Sequence, residues 1–342
     1  MSMLSLLLVA CDLENGLSST EEAAPDLLEG TARRTPAEWE EQEAVWLQWP
    51  QSWEGRQVEQ AFANIVTAIA DFEDVHVIVN SAGDQETAED YLVDADTERI
   101  TFHQIATDSS WFRDNGPTWI ELDGQIVVQD WDFDAWGYGA RWSYQNDDVV
   151  PERVAEILGL PWEHVNIVHE RGDLEVNGTD TALVSWSVLT HRNPDASKEQ
   201  ITEGLQKSLG VESVIYVEGW DPMDITRGHV DGLVRFVAED TVVVGNDGSE
   251  LMDSVAEQIA EQRPDLTIER LESPDAALFL NYLVGNGFVL MGDSGTAGEN
   301  AVAKAAAASW FPGREVRFVN VDALWQNGGG IHCVTNDQPK AP

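Results

Sequence analysis

Short apolar runs alternate with stretches whose apolar residues recur at helical spacing along most of this chain. The run over 44–49 reads as a strand and 58–72 as a helix with one apolar face. A strand over 75–79, a short helix over 86–93 and a strand over 100–105 follow. The turn signal Gly116-Pro117 then introduces a strand over 118–122. The alternation returns as helix 152–158, strands 174–176 and 182–186, helix 198–209 and strand 214–217. The last third adds strands 233–237 and 242–245, helix 251–261, strand 288–291, helix 297–309 and strand 316–319. Such alternation makes an α/β protein. No repeat of fixed period is visible, although the units are of comparable size. No Pro/Gly/Ser-rich linker interrupts the pattern, so 33–342 is expected to be a single globular domain.

The N-terminus departs from this pattern. Residues 4–10 are apolar but too few to span a bilayer, and they end in Leu8-Val9-Ala10-Cys11, which resembles a bacterial lipoprotein signal. That makes 1–10 a signal segment and Cys11 a lipidation site at the cell envelope. Met1-Ser2-Met3 lacks the basic residue such a signal starts with, and an accidental match would leave the protein cytoplasmic. Residues 12–32 hold six acids and no base, so 11–32 reads as a disordered tether. With Cys11 modified, only Cys333 remains and no internal disulfide can form.

Charge narrows the partners. The 342 residues carry 62 Asp and Glu against 19 Lys and Arg, a formal net charge of −43. Such a surface repels nucleic acid and anionic lipid headgroups, so contact with a membrane would come only through a lipid anchor. It suits salty surroundings and can also steer a cationic substrate.

Three segments hold candidate chemistry. Cys333 ends the run Gly328-Gly329-Gly330-Ile331-His332-Cys333, and glycines of this kind serve an exposed loop better than a packing site. The polar Thr335-Asn336-Asp337 after it points to a loop or strand end near the surface. In Gly228-His229-Val230-Asp231 an extended backbone would send His229 and Asp231 to one face, as base and charge partner, as two metal ligands, or as a pair satisfying each other. Asp114 lies between Arg113 and Asn115, where an ion pair or an Asx turn is the plain alternative. Trp111 can wall a pocket, and Glu170-Arg171-Gly172-Asp173 reads by itself as a charged turn.

Together these segments resemble the agmatine deiminase and bacterial peptidylarginine deiminase family. The resemblance rests on WxRDxGP at 111–117, GHxD at 228–231 and GGGIHC at 328–333. Pro36-Ala37-Glu38-Trp39-Glu40, Trp46-Leu47-Gln48-Trp49-Pro50, Phe133-Asp134-Ala135-Trp136-Gly137, and Asn281-Tyr282 before Asn286-Gly287 add to it. It implies the pentein fold, a pseudo-symmetric α/β propeller of five ββαβ-type units around a central site. It also implies Cys333 as nucleophile, His229 as acid and base, and Asp114 with Asp231 gripping a guanidinium. Trp111, Glu170 and Asn281 fall where the family lines its substrate pocket. No metal or cofactor is called for.

Departures from the family bear on substrate. Arg171 stands where agmatine enzymes of the family usually have glycine, Arg227 precedes Gly228, and Arg141 follows the Trp136-Gly137 motif. These arginines could bind a substrate carboxylate, which an arginyl peptide has and agmatine lacks, or could simply balance the acidic excess. Agmatine is the expected substrate, with Glu170 as the acid facing its ammonium, and a peptidylarginine deiminase is the alternative. A lipid-anchored binder of cationic guanidines and a thiolate–histidine–carboxylate zinc site are the remaining readings.

Overall fold

The structure is a computed structural model that describes residues 27–51, 58–219 and 224–342. Segment 1–10, Cys11 and the tether up to residue 26 lie outside the described residues. The end of the expected tether is bound to the domain. Leu28 N donates to Glu163 Oε2 at 2.7 Å, and Ala32 N donates to Asp123 Oδ1 at 2.9 Å. No helix among the described residues is long and apolar enough to cross a membrane.

One design recurs five times: two antiparallel strands, a crossover helix, and a third strand parallel to the second. Thr118–Leu122 and Gln125–Asp132 form the first such hairpin, and Val150–Leu158 carries the chain over to Trp162–Val168. The hairpin turns at Asp123-Gly124, both with positive φ (51° and 83°), the geometry that matches the twist of the flanking strands. The next unit is Leu174–Val176, Thr181–Ser185, helix Lys198–Leu209 and Ser213–Val217. The helix begins with a Ser197/Gln200 capping box and ends at the left-handed Gly210. Val234–Ala238, Thr241–Asn246, Glu250–Gln262 and Thr267–Glu272 make another unit, and Leu283–Gly285, Phe288–Gly292, Ala297–Trp310 and Glu315–Val319 a further one.

The fifth unit joins the two ends of the domain. Thr335–Pro339 pairs antiparallel with Gln42–Gln48, which runs through helix Val58–Ala70 to the parallel strand Val75–Val79. This is the five-unit pentein architecture that the resemblance implied. The first strands begin at Thr118, Leu174, Val234, Leu283 and Thr335, an uneven spacing that leaves no fixed period in the sequence.

A short helical turn precedes the first strand of every unit: Phe112–Asn115, Arg171–Asp173, Val230–Gly232, Ala276–Leu280 and Ile331–Val334. Neighbouring turns touch in ring order, and His332 N closes the circle by donating to Asn281 Oδ1 at 3.0 Å. Five turns therefore face one axis. The apolar clusters lie between sheets and helices and leave this axis to polar groups.

Two expectations change here. Thr335-Asn336-Asp337 is not a surface stretch but a buried strand. Its polar groups are paired internally: Asn336 Oδ1 accepts from Trp119 Nε1 at 2.7 Å and Arg171 Nη1 at 2.9 Å, and its Nδ2 donates to Pro117 O at 2.9 Å. The strand expected over 182–186 stops at Ser185, because Trp186 opens the helix Trp186–Arg192.

Replacing Asn336 by leucine leaves three buried partners unsatisfied at the seam of the ring. The expected loss is about 3 kcal/mol or more in urea unfolding. Val302→Ala, on an exposed helix face, is the control and is expected within about 0.5 kcal/mol of the parent. An Asn336→Leu midpoint equal to the control's would remove the seam from the stability of the fold.

Candidate active site

Four of the five turns bring polar side chains to one cavity of about 820 Å³. Its wall includes Trp111, Asp114, His229, Asp231, Asn281 and Cys333, from four of the turns. Among the described residues Cys333 is the free cysteine. Asn281 Nδ2 donates to Cys333 Sγ at 3.1 Å, and the Cys333 thiol points to Asp231 Oδ2 at 3.4 Å. Asp114 Oδ1 accepts from Gly172 N at 3.2 Å and faces His229 Nδ1 at 3.6 Å, while Trp136 Nε1 donates to its Oδ2 at 2.9 Å.

Two glycines allow this crowding. A Cβ on Gly172 would stand 2.5 Å from Asp114 Oδ1 and 2.6 Å from His229 Nδ1. A Cβ on Gly330 would stand 2.5 Å from Asn281 Oδ1. Backbone without side chains is what lets neighbouring turns meet at these points.

His229 and Asp231 reach the cavity by a different route from the extended one expected. Val230–Gly232 is a 3₁₀ turn with His229 at its start, entered through Arg227 and Gly228, both at positive φ. Asp224 fastens the approach by accepting from Thr226 N, Thr226 Oγ1 and Gly228 N.

Glu170 also differs from expectation. It is fully buried behind His229 and is not on the cavity wall. Arg192 Nε donates to its Oε1 at 2.6 Å, and its Oε2 faces His229 Nε2 at 3.3 Å. It therefore cannot meet a substrate ammonium at the far end of the cavity. Of the three arginines considered for a substrate carboxylate, Arg141 is on the wall. Arg171 is partly buried, donating to Asn336 and to both oxygens of Asp337, and neither it nor Arg227 is among the lining residues. Arg113 pairs with Asp337 at 2.7 Å rather than with its neighbour Asp114.

Burial and like charge set the protonation states. Burial pushes the Cys333 thiol well above its ordinary value, and the Asp231 and Asp114 carboxylates push it further. Burial also lifts Asp114 to about 6, against the pull of His229. Burial would lower His229, but Asp114, Glu170 and Asp173 overcome it and raise the imidazole to about 10. Glu170 goes the other way: Arg192 and His229 outweigh its burial and bring it to about 2. Asp231 is held below its ordinary value, because His332 and nearby cations outweigh burial. At neutral pH the site thus rests as thiol and imidazolium beside carboxylates, an arrangement that invites a cation.

Four contributors went unassigned in the sequence: Trp136, Glu38, His332 and Arg192. The first three lie inside quoted motifs, but nothing in a motif says which member touches what. Arg192 ends an ordinary helix and carries no sequence signal. Among the described residues no group of three or more His, Cys, Asp or Glu is arranged to hold a metal ion.

Known proteins resemble this chain over most of its length. An agmatine deiminase of Pseudomonas aeruginosa is 30% identical over 355 aligned residues, covering 90% of this chain and 95% of the relative. The solved structure of the Enterococcus faecalis agmatine deiminase matches with a TM-score of 0.83 at 27% identity, over 93% of this chain and all (100%) of that one. The fold alone extends to an amidinotransferase of Microseira wollei, at a TM-score of 0.53 and 11% identity over 90% and 97% of the two chains. These likenesses make the protein a guanidine deiminase, a hydrolase of C–N bonds. With the family profile of the Porphyromonas-type peptidyl-arginine deiminases matching residues 34–339, the stretch that builds all five turns, the chain belongs to that family.

Proposed function

We propose that the protein hydrolyses agmatine to N-carbamoylputrescine and ammonia through a covalent intermediate on Cys333. The observation that carries this is the convergence of Cys333, His229, Asp114 and Asp231 on one cavity wall. The names of the similar proteins support agmatine, as does a wall that also carries Asp108 and Asp224, acids suited to a distal ammonium.

Asp114 and Asp231 accept from the guanidinium N–H groups and hold the cation against the sulfur. That positive charge offsets the carboxylates that keep the thiol protonated, so the thiolate forms as substrate arrives and its proton leaves to solvent. Sγ bonds to the central guanidinium carbon, one C–N bond breaks, and His229 gives the leaving nitrogen its proton. Ammonia departs and an S-linked thiouronium remains. His229 then takes a proton from water, the hydroxide adds to the same carbon, and the C–S bond breaks to give the ureido product and the thiol. Glu170, held by Arg192, keeps His229 oriented and charged.

A second reading is favoured by one feature. Arg141 stands on the wall, and the exposed side chains of Trp142, Ile225 and Trp325 also line a cavity roomier than agmatine needs. An arginyl peptide would use that base and that apolar surface, and its product would be citrulline.

Cys333→Ala is expected to abolish ammonia release with the fold intact, and His229→Ala to stall with an adduct visible by mass spectrometry. Asp114→Asn and Asp231→Asn should each lose about 10- to 100-fold in kcat/KM, the worth of a charge-assisted contact. Ammonia release by Cys333→Ala at the parent rate would end the covalent mechanism and leave a site that merely binds cations.

The pH profile follows from the two shifted groups. Asp114 must be ionised to hold the cation, so kcat/KM falls as pH drops through about 6. His229 must be protonated to serve as acid, so kcat/KM falls as pH rises through about 10. Glu170→Gln removes a carboxylate that raises His229 and should bring the basic limb down in pH. An unmoved basic limb would separate Glu170 from His229.

Comparing kcat/KM for agmatine and for a peptide with C-terminal arginine decides between the substrates. Agmatine is expected to win, and Arg141→Ala to leave it unharmed. A peptide preference that collapses in Arg141→Ala would establish the second reading.

A further inference from the structure

We infer that His332, the residue before Cys333, is a positioning residue for Asp231: its Nδ1 holds Asp231 Oδ2 fixed and charged beside the sulfur, braced from behind by Glu38. The inference rests on the reading above, in which Asp231 grips the guanidinium.

The geometry is a buried line. His332 Nδ1 is 2.9 Å from Asp231 Oδ2, and its Nε2 is 2.9 Å from Glu38 Oε2. Glu38 is itself anchored: Arg235 Nη2 donates to Oε2 at 2.6 Å and Val284 N donates to Oε1 at 2.8 Å. Arg235 is anchored in turn, with Nε donating to Glu175 at 2.6 Å and Nη1 to the carbonyls of Leu280 and Tyr282. The backbone of His332 is pinned as well, its N–H donating to Asn281 Oδ1 and its carbonyl accepting from Arg113 Nε at 3.1 Å. A ring clamped at both nitrogens cannot turn.

How much each carboxylate depends on the ring follows from who else donates to it. Glu38 has Arg235 and the Val284 amide, whereas the other donor reaching Asp231 is the weak Cys333 thiol at 3.4 Å. A carboxylate only accepts, so each ring nitrogen donates to the one it faces, and Nδ1–H is the bond on which Asp231 depends. The groups facing that carboxylate are His332 and Cys333 in contact, His229 and Asp114 across the cavity, and Arg235 behind. Of these, His332 makes the direct bond to it from the protein side. A buried carboxylate that lost this bond would favour its neutral form, and a neutral acid attracts a guanidinium poorly. Because His332 and Cys333 share the turn Ile331–Val334, the brace also fixes Asp231 relative to the nucleophile. This gives a task to the Pro36-Ala37-Glu38-Trp39-Glu40 stretch, which lies outside the cavity.

Proton release on binding separates positioning from simple packing. Agmatine and methylguanidine are titrated at pH 7 into Cys333→Ala, which binds without turnover, in buffers of different ionisation enthalpy. The parent should release few protons, because Asp231 is already charged. Adding His332→Leu should weaken binding by about 10-fold or more and release about half a proton or more in addition, as the cation drives the proton off Asp231. Adding His332→Asn, whose amide nitrogen stands where Nδ1 does, should restore both values. In enzyme with Cys333 intact, His332→Leu should raise KM more than it lowers kcat. The inference is overturned if the leucine variant releases as many protons as the parent, even with a lowered melting temperature. If Cys333→Ala binds neither ligand, the guanidinium reading itself falls, and the inference falls with it.

Discussion

A thiol set beside carboxylates in a largely buried site is the constraint on which the rest of this structure depends. Each buried charge costs several kcal/mol unless it is paired and fully hydrogen-bonded. The chain meets that demand with a closed system of pairs around the axis. Asp337 lies between Arg113 and Arg171, Glu170 between Arg192 and His229, and Glu38 and Glu175 flank Arg235. The groups on the cavity wall keep unsatisfied valence on the side where a cation would sit. The electrostatic cost of the site thus becomes its affinity, since a guanidinium relieves both the crowded carboxylates and the suppressed thiol.

The same logic explains how five equivalent turns share the work. Each enters a first strand from the axis, yet each carries a different group: Asp114, the Glu170–Gly172 corner, His229 with Asp231, Asn281, and Cys333 after His332. Pseudo-symmetry supplies position, and the side chains supply chemistry. Glycine at 172 and 330 marks where two turns come too close for any Cβ.

Much of this was legible in the sequence, and the gaps have physical reasons. Helix Lys198–Leu209 and strand Val75–Val79 carry their own signals, a capping box and an apolar run, so their bounds came out as read. Thr335–Pro339 does not. A strand of Thr, Asn, Asp, Gln and Pro has no apolar signal, and only long-range partners make it buried. Cys333, His229, Asp114 and Asp231 were visible as candidates because motifs concentrate chemistry. The roles around it were not, because Glu170 and Arg171 are adjacent in sequence yet point to different neighbours, one to His229 and one to Asp337. Local charge in a sequence says that a partner is needed, but only the fold says which.

Closure of the ring by Thr335–Pro339 also sets an order of events in the life of the molecule. Four units can be synthesised and begin to fold while Cys333 is still unmade or inside the ribosome. Cys333 takes its place only when the strand after it reaches back and pairs with Gln42–Gln48, near the beginning of the domain. A nascent chain therefore carries no assembled guanidine site, and a message cut short before this strand leaves the ring open. The site is completed only after the other four units have been made.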